Sequence, residues 1–230
     1  MSRRIAVFLR HGQYHQRPGA PSAHQPFALT KNGTIQAHGA AFLIAAMAKA
    51  NGWRLHPTVH CSNLLRGWQT ADLIRRDLGG IDEVQGFDAL AERGLGSAAN
   101  LTVEEIEAVL NSDPRFDAPP PNWKSDSHYR LPLQGAESLM DAGQRVARHV
   151  RAATAALPTD EDRDVMMLFV GHGAAFRHGA HVLGAMAFDD IAKLSMFHAT
   201  PVALEDLGEE PWHLAAGEWK VRGAKDQNLD

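Results

Sequence analysis

Two short runs of the chain carry no alternation of polar and apolar positions: Ile5-Ala6-Val7-Phe8-Leu9 near the amino terminus and Val165 to Val170 in the last third. Such runs predict strands buried on both faces, as in a parallel sheet. Each halts at a turn in which histidine precedes glycine, Arg10-His11-Gly12 and Gly171-His172-Gly173, with Arg177 one helical turn past the second. Between them the period changes to three and four. Thr30 caps a predicted helix with Ile35, Leu43, Ile44 and Met47 as its apolar face and Asn51-Gly52 as its end. Pro57 to Cys61 predicts a strand, followed by a helix to Leu78 with Leu64, Trp68, Ala71, Ile74 and Leu78 on one side, stopped by Gly79-Gly80. Gly135 to Leu157 predicts an amphipathic helix, Pro201 to Leu204 a strand, Trp212 to Val221 a hairpin and Lys225 to Asp230 a frayed tail. Strand alternating with helix implies an α/β fold with parallel pairing.

The middle of the chain breaks this rhythm. From Glu92 to Gln134 it holds a capped acidic helix, Thr102 to Leu110, then Pro119-Pro120-Pro121 and a polar segment with Trp123, Lys124, His128, Tyr129 and Arg130. The proline run supplies no backbone donors, so this stretch predicts an excursion over the sheet edge, either a lid or a surface insert. Trp123, Tyr129 and Arg130 divide evenly between substrate contact and local packing.

Composition narrows the function classes. The 230 residues are 44% hydrophobic and 22% charged, enough for one sizeable core, with a net charge of −4. That balance gives no basic footprint for nucleic acid or an anionic membrane. The longest apolar stretch, around Ala40 to Ala48, is too short to span a bilayer, and no signal peptide is read at the amino terminus. A single cysteine, Cys61, excludes an internal disulfide framework, so a cytoplasmic protein is expected. The thirteen histidines do not fall into metal-ligand spacings, which predicts no metal and leaves most of them solvated or structurally satisfied.

Open α/β sheets bind ligands at the carboxyl ends of their strands, where both histidine turns lie. In order along the chain, Leu9-Arg10-His11-Gly12-Gln13, Ser62-Asn63-Leu64-Leu65-Arg66-Gly67-Trp68-Gln69-Thr70-Ala71, Ala91-Glu92-Arg93, Glu137-Ser138-Leu139 and Gly171-His172-Gly173 resemble the motifs of the histidine phosphatase superfamily, on its phosphoglycerate mutase-like branch. The resemblance implies a three-layer α/β/α sandwich with a mostly parallel central sheet. It also implies one domain over 1–230, in which 93–134 forms a helix-loop insert over the active-site edge. His11 would be the nucleophile, with one ring nitrogen attacking phosphorus and the other held by a backbone carbonyl. Arg10, Arg66 and His172 would surround the phosphoryl oxygens, and Glu92 would protonate the leaving oxygen. Gly12, Gln13, Tyr14, Arg17, Arg93 and Gly173 are the expected substrate-binding positions. No cofactor is implied, and the expected partner is a small phosphorylated substrate. A homodimer stays open, since faces that build a core and faces that build a dimer look alike.

Cys61 to Arg66 resembles at first the phosphate loop of cysteine-based phosphatases, but four residues separate the two where that loop has five, and no glycine allows its curl. Several positions also depart from the mutases: Tyr14 to Arg17 follow the first motif, Leu95 replaces a tyrosine, and Ala174-Ala175 follow the last histidine. Losing anion-binding groups favours transfer to water. The expected function is therefore metal-independent phosphomonoester hydrolysis through a phosphohistidine. Mutase-type transfer, a Ser/Thr phosphoprotein phosphatase, which the Arg10 to His15 run also resembles, and a silent phospho-ligand binding module are the alternatives.

Overall fold

The computed structural model describes residues 3–158, 163–206, 208 and 211–223. The tail expected at Lys225 to Asp230 lies outside the described residues. The elements are β1 (Arg4–Arg10), α1 (Lys31–Asn51), β2 (Arg54–Leu55), β3 (Thr58–Ser62), α2 (Leu65–Leu78), β4 (Glu83–Phe87), α3 (Val103–Ser112), α4 (Leu139–Ala155), β5 (Val165–Gly171), α5 (Gly173–Val182), α6 (Phe188–Ile191), β6 (Leu194–Ser195), β7 (Pro201–Asp206), β8 (His213–Ala216) and β9 (Lys220–Val221).

The central sheet runs β4-β3-β5-β1-β7-β8, with β2 paired to β5. Strands β4, β3, β5 and β1 are mutually parallel, whereas β7 and β8 join antiparallel. The two apolar runs are neighbours in register from Arg4↔Val165 to Arg10↔Gly171, so both histidine turns leave the sheet side by side. Alternate residues of β1 serve opposite layers. Ile5, Val7 and Leu9 pack with Ala40 and Ile44 of α1 and Ala71 and Ile74 of α2, while Ala6 and Phe8 pack with α4 and α5. Burial on both faces is why these strands show no alternation.

Local chemistry sets the element ends. The Thr30 side chain accepts from Gly33 N–H, and Gly52 closes α1 at φ 70°. Thr102 with Glu105 and Ser138 with Asp141 form reciprocal capping boxes on α3 and α4. Helix α4 therefore starts at Leu139 rather than Gly135. Gly135, at φ 80°, belongs to the turn that precedes the cap.

Other expectations are corrected. The buried face of α1 is Gly33, Ala37, Ala40, Ala41 and Ile44, and the larger Ile35 and Leu43 point outward. Close approach to the β1 turn selects small residues there, so side-chain size misleads. Trp68 is likewise exposed, while Arg66, Thr70 and Asp72 are buried on α2. The segment read as a hairpin is split: β8 pairs with β7, and β9 pairs with β6. Strand β4, whose residues are mostly half-buried or exposed at the sheet edge, lacked an apolar run. Cys61 is fully buried on β3, and burial pushes its thiol up to about 12, in keeping with a structural role.

The stretch from Glu92 to Gln134 carries a small core of its own. Leu95, Ile106, Leu110, Trp123 and Leu131 pack there with Ala23 of the Gln13 to Pro26 loop. Trp123 packs in this core and donates from Nε1 to Glu107 at 3.1 Å, with Tyr129 beside it. Arg130 turns away to Asp141, so packing accounts for Tyr129 and Arg130.

Candidate active site

Because β7 is antiparallel, its start meets the carboxyl ends of β1, β3 and β5 at one sheet edge. His11 leaves β1 there. Its Nδ1 lies 2.7 Å from Gly12 O, and Arg66 Nε reaches its Nε2 at 3.2 Å. A carbonyl only accepts, so Nδ1 carries the ring hydrogen and Nε2 keeps its lone pair. His11 is 1% exposed; burial, then Arg66 and Arg10, push its imidazole well below the usual histidine range. The ring is neutral at neutral pH.

His172 leaves β5 with its ring 5.0 Å from that of His11. Its Nε2 is 2.9 Å from Ser62 Oγ, at the end of β3, and its Nδ1 is buried without a hydrogen-bond partner. An orphaned buried ring nitrogen is costly and marks a place for a ligand atom. Burial, followed by Arg66 and His11, holds His172 neutral as well. Leu64 N–H already donates to Ser62 Oγ; with the serine hydrogen given to Nε2, the ring hydrogen stands on Nδ1.

Arg66, fully buried in the first turn of α2, donates to Ala23 O and Gln25 O, and its guanidinium lies 4.3 Å from the centre of the Tyr14 ring. Tyr14 sets the edge of its ring against His11 and donates to Ser22 Oγ at 3.0 Å. Arg10 donates to Met196 O at 3.2 Å and runs alongside Gly173, where a Cβ would sit 3.3 Å from Arg10 Cδ. Gly173 therefore leaves room for the Arg10 side chain. Glu92 is buried, and its carboxylate accepts from the backbone N–H of Arg93, Ala174 and Ala175. The five residues expected to carry the chemistry thus converge from four separate segments.

The expected substrate-binding residues divide. Of these only Arg17 and Arg93 line a cavity of about 950 Å3 walled by the 16–23 loop, α3, α5 and the insert; Glu92 and Ala174 line it too, whereas His11, Arg10, Arg66 and His172 do not. Arg17 is tied to Asn100 O and Glu105, and Arg93 donates to Lys124 O at 3.1 Å. Gln13 stays outside this cavity: its side chain takes hydrogen bonds from Thr30 and Asn32 at the start of α1. Gly12 is set by packing, since a Cβ there would run into the Gly33 backbone.

Sequence reasoning missed several supports. His198, just before β7, brings its ring 5.7 Å from His11, and its backbone bridges Arg10. Only the antiparallel course of β7 puts it at this edge. Thr70 accepts from Gly12 N–H, which pins the turn to α2. Arg145 donates to the carbonyls of Asp88, Ala89, Ala91 and Glu92 and to both oxygens of Glu137. That bracket fixes the backbone that carries Glu92. Among the described residues, no group of three His, Cys, Asp or Glu side chains is placed to hold a metal ion, and no helix is long and apolar enough to cross a membrane.

The fold is shared with known proteins. The chain is similar to a mycobacterial glucosyl-3-phosphoglycerate phosphatase solved in complex with VO3, at 25% identity over 95% of this chain and 100% of that one, with a TM-score of 0.69. Mycobacterial hydrolase 1 is similar at 25% identity, over 96% of this chain and 100% of that one, with a TM-score of 0.69. The alpha-ribazole phosphatase of Shigella flexneri shares the fold at 18% identity, over 96% of this chain and 98% of that one, with a TM-score of 0.69. No curated protein sequence matches the chain. The profile of the histidine phosphatase superfamily (branch 1) matches residues 6–218, which together with the paired histidine turns at one sheet edge establishes that the chain belongs to this superfamily.

Proposed function

We propose that the protein is a metal-independent phosphomonoester hydrolase that passes the phosphoryl group of a small metabolite through His11 to water. The observation that carries this reading is the neutral His11 ring, with Nδ1 on Gly12 O and the Nε2 lone pair beside Arg66 Nε, and the ring of His172, its Nδ1 orphaned, centred 5.0 Å away. In this reading Nε2 attacks phosphorus and the bond to the leaving oxygen breaks. Arg10, Arg66 and His172 Nδ1–H hold the equatorial oxygens, where charge is spread in the transition state. Glu92 gives a proton to the leaving oxygen and later takes one from the water that cleaves the phosphohistidine. Arg93, Tyr14 and Arg17 shape the entrance, with 93–134 acting as a cap on one domain.

A cavity of about 950 Å3 beneath a cap suits a small molecule better than a phosphoprotein loop. The solved glucosyl-3-phosphoglycerate and alpha-ribazole phosphatases point the same way. A single buried cysteine fits a cytoplasmic setting. The test is hydrolysis of p-nitrophenyl phosphate with and without EDTA, together with trapping of the phosphoenzyme. Turnover indifferent to the chelator, with an acid-labile phosphoryl group on His11, is expected. Phosphate binding without turnover would instead make the chain a silent binding module, and a requirement for added divalent metal would overturn metal independence.

A pH profile gives a second check. The neutral ring is the reactive form, and a lowered His11 value keeps it neutral as pH falls. Once the substrate's own ionisation near pH ~6 is divided out, kcat/KM is expected not to fall from pH 7.5 to 5.5. A nucleophile at the ordinary histidine value would lose about tenfold by pH 5.5, so a drop of that size would contradict the neutral, buried ring.

A further inference from the structure

The cavity contains a second hydrogen-bonded pair that the phosphoryl chemistry leaves unused. Ser127, from the insert, and His178, from α5, both line it. His178 is 1% exposed, with Nδ1 2.8 Å from Ala174 O and Nε2 3.0 Å from Ser127 Oγ. The carbonyl only accepts, so Nδ1 carries the ring hydrogen. Burial pushes His178 down to about 4, which leaves Nε2 unprotonated at neutral pH. The Ser127 hydroxyl must therefore donate to the ring. A serine has one hydrogen, so what Ser127 presents to the cavity is lone pairs alone.

Its place in the cavity follows from Ala174. The Ala174 carbonyl holds His178, and its N–H donates to Glu92 at 3.3 Å. One residue in the first turn of α5 thus links Ser127 to the carboxylate proposed to face the leaving oxygen. Ser127 and Glu92 line the same cavity. Further along the same wall, Glu107 adds another acceptor, with one oxygen already taken by Trp123 Nε1. The neighbouring Arg177 directs its guanidinium to the backbone carbonyls of Gly173, Ile191 and Leu194.

We infer that Ser127 Oγ, aligned by His178, is the acceptor that selects phosphomonoesters bearing a hydroxyl or amine next to the scissile ester and disfavours those with a carboxylate or second phosphate there. The inference rests on the hydrolase reading. A donor on the leaving group meets the Ser127 lone pairs, whereas an anion sets lone pair against lone pair.

The experiment compares kcat/KM for glycerol 3-phosphate, phosphoethanolamine, propyl phosphate and phosphoglycolate, with p-nitrophenyl phosphate as the reference. Wild type is expected to favour the first two over propyl phosphate by about tenfold, with phosphoglycolate poorest. Ser127→Ala is expected to bring the donor-bearing and propyl substrates within about twofold while leaving p-nitrophenyl phosphate turnover unchanged. Ser127→Thr, which keeps the hydroxyl, should restore the preference. Unchanged ratios in Ser127→Ala, or a wild-type preference for phosphoglycolate, sink the inference while p-nitrophenyl phosphate turnover leaves the hydrolase reading standing. Absence of turnover on every substrate, the reference included, overturns both.

Discussion

His11→Ala is expected to lower p-nitrophenyl phosphate turnover by at least ~10³-fold, because loss of the nucleophile closes the covalent path and leaves only direct attack by water. A factor of that size is about 4 kcal/mol of transition-state stabilisation. It far exceeds what a hydrogen bond to substrate contributes, so the size of the loss separates a nucleophile from a binding group. Arg10, Arg66 and His172 remain in place in the variant, and binding of phosphate or vanadate is expected to survive. The ring is buried and bonded to Gly12 O and Arg66, so some stability is lost as well. Thermal unfolding of the variant controls for that loss. A folded His11→Ala protein retaining a tenth of wild-type turnover would remove His11 from the nucleophile's role.

Gly33→Ala is expected to destabilise the fold by roughly 3–5 kcal/mol, against its local helix preference. Gly33 sits in the first turn of α1, where alanine is the better helix former by about 1 kcal/mol. A Cβ at this position, however, would fall on the Gln13 carbonyl oxygen, with Gln13 C and N at 2.8 and 2.9 Å. These are backbone atoms fixed by the β1 turn, and Gln13 O already accepts from Thr30 N–H at 2.9 Å. Neither side can yield cheaply, so the clash outweighs the propensity gain. At about 2–4 °C per kcal/mol for a chain of this size, the melting temperature should fall by roughly 10 °C. The displaced turn should also misplace His11 and reduce turnover. Gly39→Ala, on the same helix with nothing within 4 Å of its Cβ, is the control and should stabilise by about 1 kcal/mol. Equal effects at the two sites would show that α1 does not bear on the turn as described.

The contrast between these glycines shows which features were legible in sequence. The strands β1 and β5 were plain because burial on both faces leaves an uninterrupted apolar run, and the helix ends were plain because Thr30, Thr102 and Ser138 cap through their own side chains. The ordered motifs around Arg10, His11, Arg66, Glu92 and His172 singled out the residues that the fold brings together. Gln13 misled because a polar residue following a motif histidine looks the same whether it faces a ligand or brackets a helix.

By itself the sequence determined the α/β alternation, the two histidine turns and the residue types able to handle phosphate, since these depend on local periodicity and side-chain chemistry. Only the tertiary structure decided that β5 lies beside β1, that β7 runs antiparallel and delivers His198 to the same edge, and that Arg145 braces the Glu92 backbone. It also decided which hydrogen bonds are already made, which leaves His172 Nδ1 buried without a partner and Ser127 with lone pairs alone. The physical reason is range: propensity and capping act within a turn or two of chain, whereas burial, proton direction and close backbone approach are set by residues a hundred positions away.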